Sequence, residues 1–129
     1  MNRNWQNGKL ALIIALLAAW GLTAIFITPL FGTLFRCGCD WLWAGAATRC
    51  VGLMDASGHH HCPWCIDYPT GMLIPIIVIA LVQTIVIVLL WWRIHARIPI
   101  LLVAALIAFL LAGLGEAIIH SWLKGYPLF

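Results

Sequence analysis

Three uninterrupted apolar runs decide what this chain can fold into. The first extends from about Leu10 to Phe35 and contains no charged residue. The second, from about Met72 to Trp92, is also uncharged and carries Gln83 near its middle. The third, from about Ile98 to Leu123, holds one acid, Glu116, and one imidazole, His120. A helix rises 1.5 Å per residue, so about 20 apolar residues cross the roughly 30 Å of a bilayer's hydrocarbon. Each run meets that length. In lipid the backbone must satisfy its own hydrogen bonds, which makes each run a helix.

Composition agrees. Only 9% of the 129 residues are charged and 64% are hydrophobic, whereas a soluble domain carries about 25% charged residues. The expected fold is an all-α integral membrane protein: three transmembrane helices in a single membrane domain spanning residues 1–129. Residues 36–70 form the connection between the first two spans. The formal charge of +3 is small and the basic residues are scattered, so nucleic acid is not an expected partner. The basic flank Arg3 and Lys9 could belong to a cleaved signal peptide, but the following run exceeds a 7–15-residue h-region, so a retained anchor is the reading.

Cations near helix ends set orientation. With the N-terminus inside, Arg3, Lys9, Arg93 and Arg97 lie inside, in short tails and a tight turn. Arg36, Arg49 and Lys124 lie outside, two of them spread through the long loop. The expectation is a multi-pass protein of a bacterial inner membrane, with a cytoplasmic N-terminus. The loop and the C-terminus then face the periplasm, where disulfides persist.

That loop concentrates the reactive side chains. All five cysteines and three of the five histidines fall in it: Cys37, Cys39, Cys50, His59, His60, His61, Cys62 and Cys65. It also carries Trp41, Trp43 and Trp64, which favour the membrane–water interface. The expectation is a cap folded back onto the helix ends, with a short flat helix from Trp41 to Thr48 and a turn at Met54–Gly58. Pro29 and Gly32 can bend the end of the first helix above it.

Cys62-Pro-Trp-Cys65 lies just ahead of the second span. A thiolate at a helix N-terminus is stabilised by free amides and the helix dipole, and protonated imidazoles nearby depress its pKa further. The pair reads as a redox dithiol, as half of a metal site, or as an inert staple. The metal reading draws on Cys37, Cys39, Cys50, His59, His60, His61, Cys62 and Cys65, a thiolate–imidazole set suited to copper or zinc. The spacing matches no zinc finger. Adjacent residues alternate in an extended segment, so at most two of the three histidines would bind one ion. Sequence does not choose among the possible disulfide pairings.

The stretch Cys62-Pro-Trp-Cys65-Ile-Asp-Tyr-Pro, leading into the helix from Met72, resembles the DsbB-type disulfide-forming membrane proteins and, more distantly, the vitamin K epoxide reductase relatives. The resemblance covers about 30 residues. It implies a dithiol at Cys62 and Cys65 that passes electrons to a membrane quinone and oxidises a soluble thioredoxin-like partner. The chain departs from that family in having three spans rather than four and no second cysteine pair in a later loop. Asp67 and Tyr68 stand where the family carries an arginine.

Within the third span, Glu116 and His120 are one turn apart and share a face with Gly113. Ionisable groups inside a span are functional candidates. This pair is a candidate cofactor site: it can relay a proton to a quinone, complete a metal site, or ligate a haem or pigment. It can also be a plain interface hydrogen bond. Gln83 reads as an interhelical hydrogen bond and His95 as a polar turn residue. Three function classes result. The first is a quinone-coupled thiol–disulfide oxidoreductase. The second is a copper-handling protein, with a metallochaperone as partner. The third is a small accessory subunit of a respiratory or photosynthetic membrane complex, surrounded by other membrane subunits.

Overall fold

The computed structural model describes residues 3–35, 70–94 and 97–124, together with Cys37, Cys39, Trp41 and Ala44. Its elements are three helices: α1 (Arg3–Leu34), α2 (Thr70–Ile94) and α3 (Ile98–Lys124). All three are long and apolar enough to cross a membrane. The chain is therefore a three-span, multi-pass membrane protein. α1 begins seven residues before the first apolar run. At 32 residues it is about 48 Å long, more than the hydrocarbon requires.

Helix ends follow local chemistry. The Arg97 carbonyl accepts the amides of Ile100 and Leu101 at 3.0 and 3.1 Å, which starts α3. Pro99 falls in that first turn, where an amide would have no intrahelical partner. Pro29 sits inside α1 and the helix continues through it. One turn on, the Thr33 hydroxyl lies 2.9 Å from the Pro29 carbonyl and 2.7 Å from that of Leu30, a bond back to its own helix.

Lipid tails are as apolar as leucine, so close packing and hydrogen bonds, rather than the hydrophobic effect, bring such helices together. At the end where α2 turns into α3, which we call the turn end, the contacts are small. Ala15 and Ala19 of α1 and Ala105 of α3 are buried with Ile87 and Leu101. At the opposite, loop end, phenyl rings fill the centre: Phe31, Phe35 and Phe109 are buried with Ile27, Ile79 and Ala117. The outward faces carry large apolar side chains, Leu17, Leu111 and Trp122 among them, as lipid-facing surface should. At the turn end the Arg93 guanidinium stacks 5.6 Å from the Trp92 ring, an interfacial anchor.

Between the two clusters lies one polar lock. Gln83 of α2 is fully buried. The Thr23 hydroxyl of α1 donates to its Oε1 at 2.6 Å, and its Nε2 donates to the Ala105 carbonyl of α3 at 3.1 Å. The expected interhelical bond is thus a bridge joining all three helices. A second link joins the indole N–H of Trp20 to the Thr84 hydroxyl at 3.2 Å.

Gly113 permits a close approach of α1 to α3. A Cβ built there would stand 2.7 Å from Cδ2 of Leu30. That methyl ends a flexible side chain and can rotate away. Gly113→Ala should therefore change stability by less than about 1 kcal/mol, the strain being offset by a helix-propensity gain of similar size. Gly113→Leu overpacks the contact and should cost about 1–3 kcal/mol. Unfolding of both variants in mixed detergent micelles, followed by circular dichroism, checks the pair.

Candidate functional site at the loop end

The end of α1 shows how the loop is attached. The Phe35 amide donates to Phe31 at 3.0 Å, and the Cys37 amide donates back to the Gly32 carbonyl at 3.2 Å. That six-to-one bond is a common way for a helix to close. The chain then doubles back. The Cys39 carbonyl rests against Gly32 so closely that a Cβ there would overlap it. The Trp41 ring meets Phe26 edge to face, centroids 5.4 Å apart and planes at 72°. Phe26 lies eight residues before the end of α1, about 12 Å down its axis. Cys37, Cys39 and Trp41 thus form a strap that returns along α1 to the level of the membrane interior. Non-helical backbone is tolerated at membrane depth only where protein covers it; along the strap Cys37 is 2% exposed and Cys39 and Trp41 are half-buried. The Ala44 amide donates to the Trp41 carbonyl at 2.9 Å, a single turn at the start of the expected flat helix. The rest of that helix lies outside the described residues.

α1 and α3 run parallel. Thr23 and Ala105 share a level through Gln83, and Leu30 meets Gly113. Both pairs imply a common offset of about 83 residues. By that register Glu116 stands level with Thr33, and Leu34 with Ala117. His120 therefore lies about one turn beyond the end of α1, at the end of the bundle where the loop leaves α1 and enters α2.

Glu116 and His120 meet as their spacing requires. Nε2 of His120 is 3.6 Å from Oε2 of Glu116, and the two side chains are 17% and 12% exposed. The separation is an ion-pair distance rather than a hydrogen bond. Nδ1 of His120 is buried and has no hydrogen-bond partner among the described residues. An unsatisfied buried polar atom costs about 1–3 kcal/mol. With Nε2 nearest the carboxylate, Nδ1 is the nitrogen left for a further polar partner.

Of the other residues the sequence singles out, Cys37 is buried among Phe31, Leu34 and Phe35, and Cys39 packs half-buried against the same cluster. Cys50, His59, His60, His61, Cys62 and Cys65 lie outside the described residues, as do Asp40, His95 and the Met54–Gly58 turn. Among the described residues no three Cys, His, Asp or Glu side chains are close enough to hold an ion. Cys37, Cys39, Glu116 and His120 therefore do not form a metal site by themselves. Sequence reading passed over Thr23 and Thr28. Thr23 is the third arm of the polar lock. Thr28 is buried with its hydroxyl unpartnered among the described residues. A threonine inside an apolar run looks like filler, because its hydroxyl ordinarily bonds its own helix.

Comparison with family models, with curated proteins and with solved structures finds no match. The three-span fold and the loop-end geometry are what a functional reading of this chain has to work from.

Proposed function

We propose that this protein carries out thiol–disulfide exchange at one membrane face and passes the electrons to a membrane quinone. The single observation behind the reading is the place of the Glu116–His120 pair. It stands at the end of the bundle to which both ends of the thiol-rich loop attach, with a buried imidazole nitrogen that has no hydrogen-bond partner among the described residues. Thiolate, not thiol, is the attacking species, so a base held near the dithiol raises its reactivity. His120, oriented by Glu116, supplies one.

The chemistry balances as follows. Cys62 and Cys65 form one S–S bond and give up two electrons and two protons, which reduce a quinone to a quinol. A thiolate of a thioredoxin-like partner then attacks the Cys62–Cys65 disulfide. The resulting mixed disulfide is resolved by the partner's second thiol, which leaves Cys62 and Cys65 reduced. In this reading the loop faces the periplasm of a bacterial inner membrane. The resemblance of Cys62-Pro-Trp-Cys65 to the DsbB-type proteins supports the same chemistry.

The test is oxidation of a reduced thioredoxin-like protein by purified chain and a soluble quinone. Cys65→Ser should bring the rate to background. His120→Gln should slow it about 10²-fold near neutral pH, the lower range for loss of a general base. Undiminished partner oxidation by the Cys65→Ser variant sinks the reading.

The same unpartnered nitrogen favours a second reading. Imidazole and thiolate ligands together suit copper or zinc, with Cys50, Cys62, Cys65 and at most two of His59, His60 and His61 as the further ligands. Purified protein that carries no metal by elemental analysis removes this alternative.

A further inference from the structure

We infer that the groove between α1 and α3 at the loop end binds one acyl chain of a bilayer phospholipid. The groove has a volume of about 290 Å³. Leu22, Phe26 and Leu30 of α1 form one wall, Leu106 and Leu110 of α3 the other, and the Trp41 ring closes it from the strap. Its one hydroxyl, on Thr33, is turned onto the carbonyls of its own helix. The lining among the described residues is almost wholly apolar and suits hydrocarbon.

Length and depth identify the hydrocarbon. The membrane-crossing part of α1 is Gly8–Leu34, so Leu22 lies at its middle and Thr33 at its loop end. The α1 wall runs over those 11 positions, about 16 Å, against about 15 Å for the hydrocarbon of one leaflet, with the α3 wall, Leu106 to Leu110, beside part of it. It thus runs from the bilayer centre to one interface, the path of a single acyl chain. The headgroup stays at the interface, outside the groove. A hollow of about 370 Å³ on α3, lined by Pro99, Ile100, Val103, Ala104 and Ile107, is larger but is built from one helix alone. With no second wall it exchanges its lipid freely. It serves as the internal control.

The test is native mass spectrometry of the full chain, reconstituted in palmitoyl-oleoyl phosphatidylglycerol vesicles and re-extracted in mild detergent. The wild type should retain one phospholipid per chain. Leu106→Trp, which fills the groove, should lower that occupancy at least tenfold. Ile100→Trp, in the one-helix hollow, should leave it unchanged. Should Leu106→Trp lose its helical circular dichroism, Leu110→Phe is the filling variant to use. Absence of a retained phospholipid on the wild type overturns the inference. So does equal loss in the Ile100→Trp control. An isoprenoid quinone held in the groove after extraction from native membranes overturns the choice of occupant. None of these readouts depends on thiol chemistry, so the lipid site and the proposed exchange reaction fail independently.

Discussion

Replacing Gly32 with alanine should detach the strap from α1. The obstacle to the new methyl group is the Cys39 carbonyl, a backbone atom. No rotamer change relieves that overlap, so the strap itself must move. Overpacking costs about 1–3 kcal/mol in a well-packed core, and here undocking is the only relief. Cys37, now 2% exposed, should become reactive. We expect its modification by maleimide under reducing conditions to accelerate at least tenfold, with the adduct located by peptide mass spectrometry. Gly21→Ala and Gly115→Ala are the matched controls, because a Cβ at either position meets nothing within 4 Å. They should leave Cys37 reactivity unchanged and cost no stability, since alanine is the better helix former by about 1 kcal/mol. Equal Cys37 reactivity in Gly32→Ala and the wild type would show that the strap does not rest on α1.

Gln83 should show the second large effect. Gln83→Ala removes two interhelical hydrogen bonds and opens a cavity at a fully buried position. A truncation of that size costs about 2–5 kcal/mol in protein cores. Gln83→Leu keeps most of the volume and should cost less, about 1–3 kcal/mol. Interhelical hydrogen bonds in membranes contribute about 0.6 kcal/mol on average and rarely above about 1.7. The released groups also have other partners: the Thr23 hydroxyl falls back on the Ala19 carbonyl, 3.1 Å away. A double-mutant cycle of Thr23→Val with Gln83→Leu isolates the direct bond. The coupling should fall between about 0.6 and 1.7 kcal/mol. Additivity within about 0.3 kcal/mol would mean that the two side chains do not interact.

The spans were legible because one signal suffices for them. An apolar run of bilayer length admits only a helix, and the three runs lie within the three helices found but for Phe35, one residue past the end of α1. Boundaries were less legible. α1 starts at Arg3 and α2 at Thr70 because hydrogen bonding carries a helix beyond its apolar run into polar sequence, where hydropathy falls silent. Gln83 was legible as an interhelical bond for a similar reason: a lone amide in an apolar run has nothing but another helix to bond. Its partners were not, since Thr23 carries no mark that separates it from a threonine bonded to its own backbone. The Glu116–His120 contact followed from a spacing of four. Three spans already put the pair at the loop end; its level against the end of α1 required the register of α1 against α3, which Gly113 fixes by admitting Leu30. The three tryptophans of the loop announced an interfacial segment. That Trp41 returns as far as Phe26 depends on Gly32, whose missing side chain gives the Cys39 carbonyl its resting place. The thiols of Cys50, Cys62 and Cys65 belong to residues outside the described structure, and the chemistry proposed for them rests on sequence and on the pair at the end of α3.

The central claim is that three helices cross the membrane, so the thiol-rich loop and the turn between α2 and α3 lie on opposite sides. The direct measurement is side-specific modification of a His95→Cys chain by a membrane-impermeant maleimide. Right-side-out and inverted vesicles are labelled after reduction, and adducts are located by peptide mass spectrometry. Three spans predict that the loop cysteines Cys50, Cys62 or Cys65 and the thiol introduced at position 95 are modified from opposite sides, one set in right-side-out vesicles and the other only in inverted ones. Modification of position 95 and of the loop cysteines from the same side would contradict the claim.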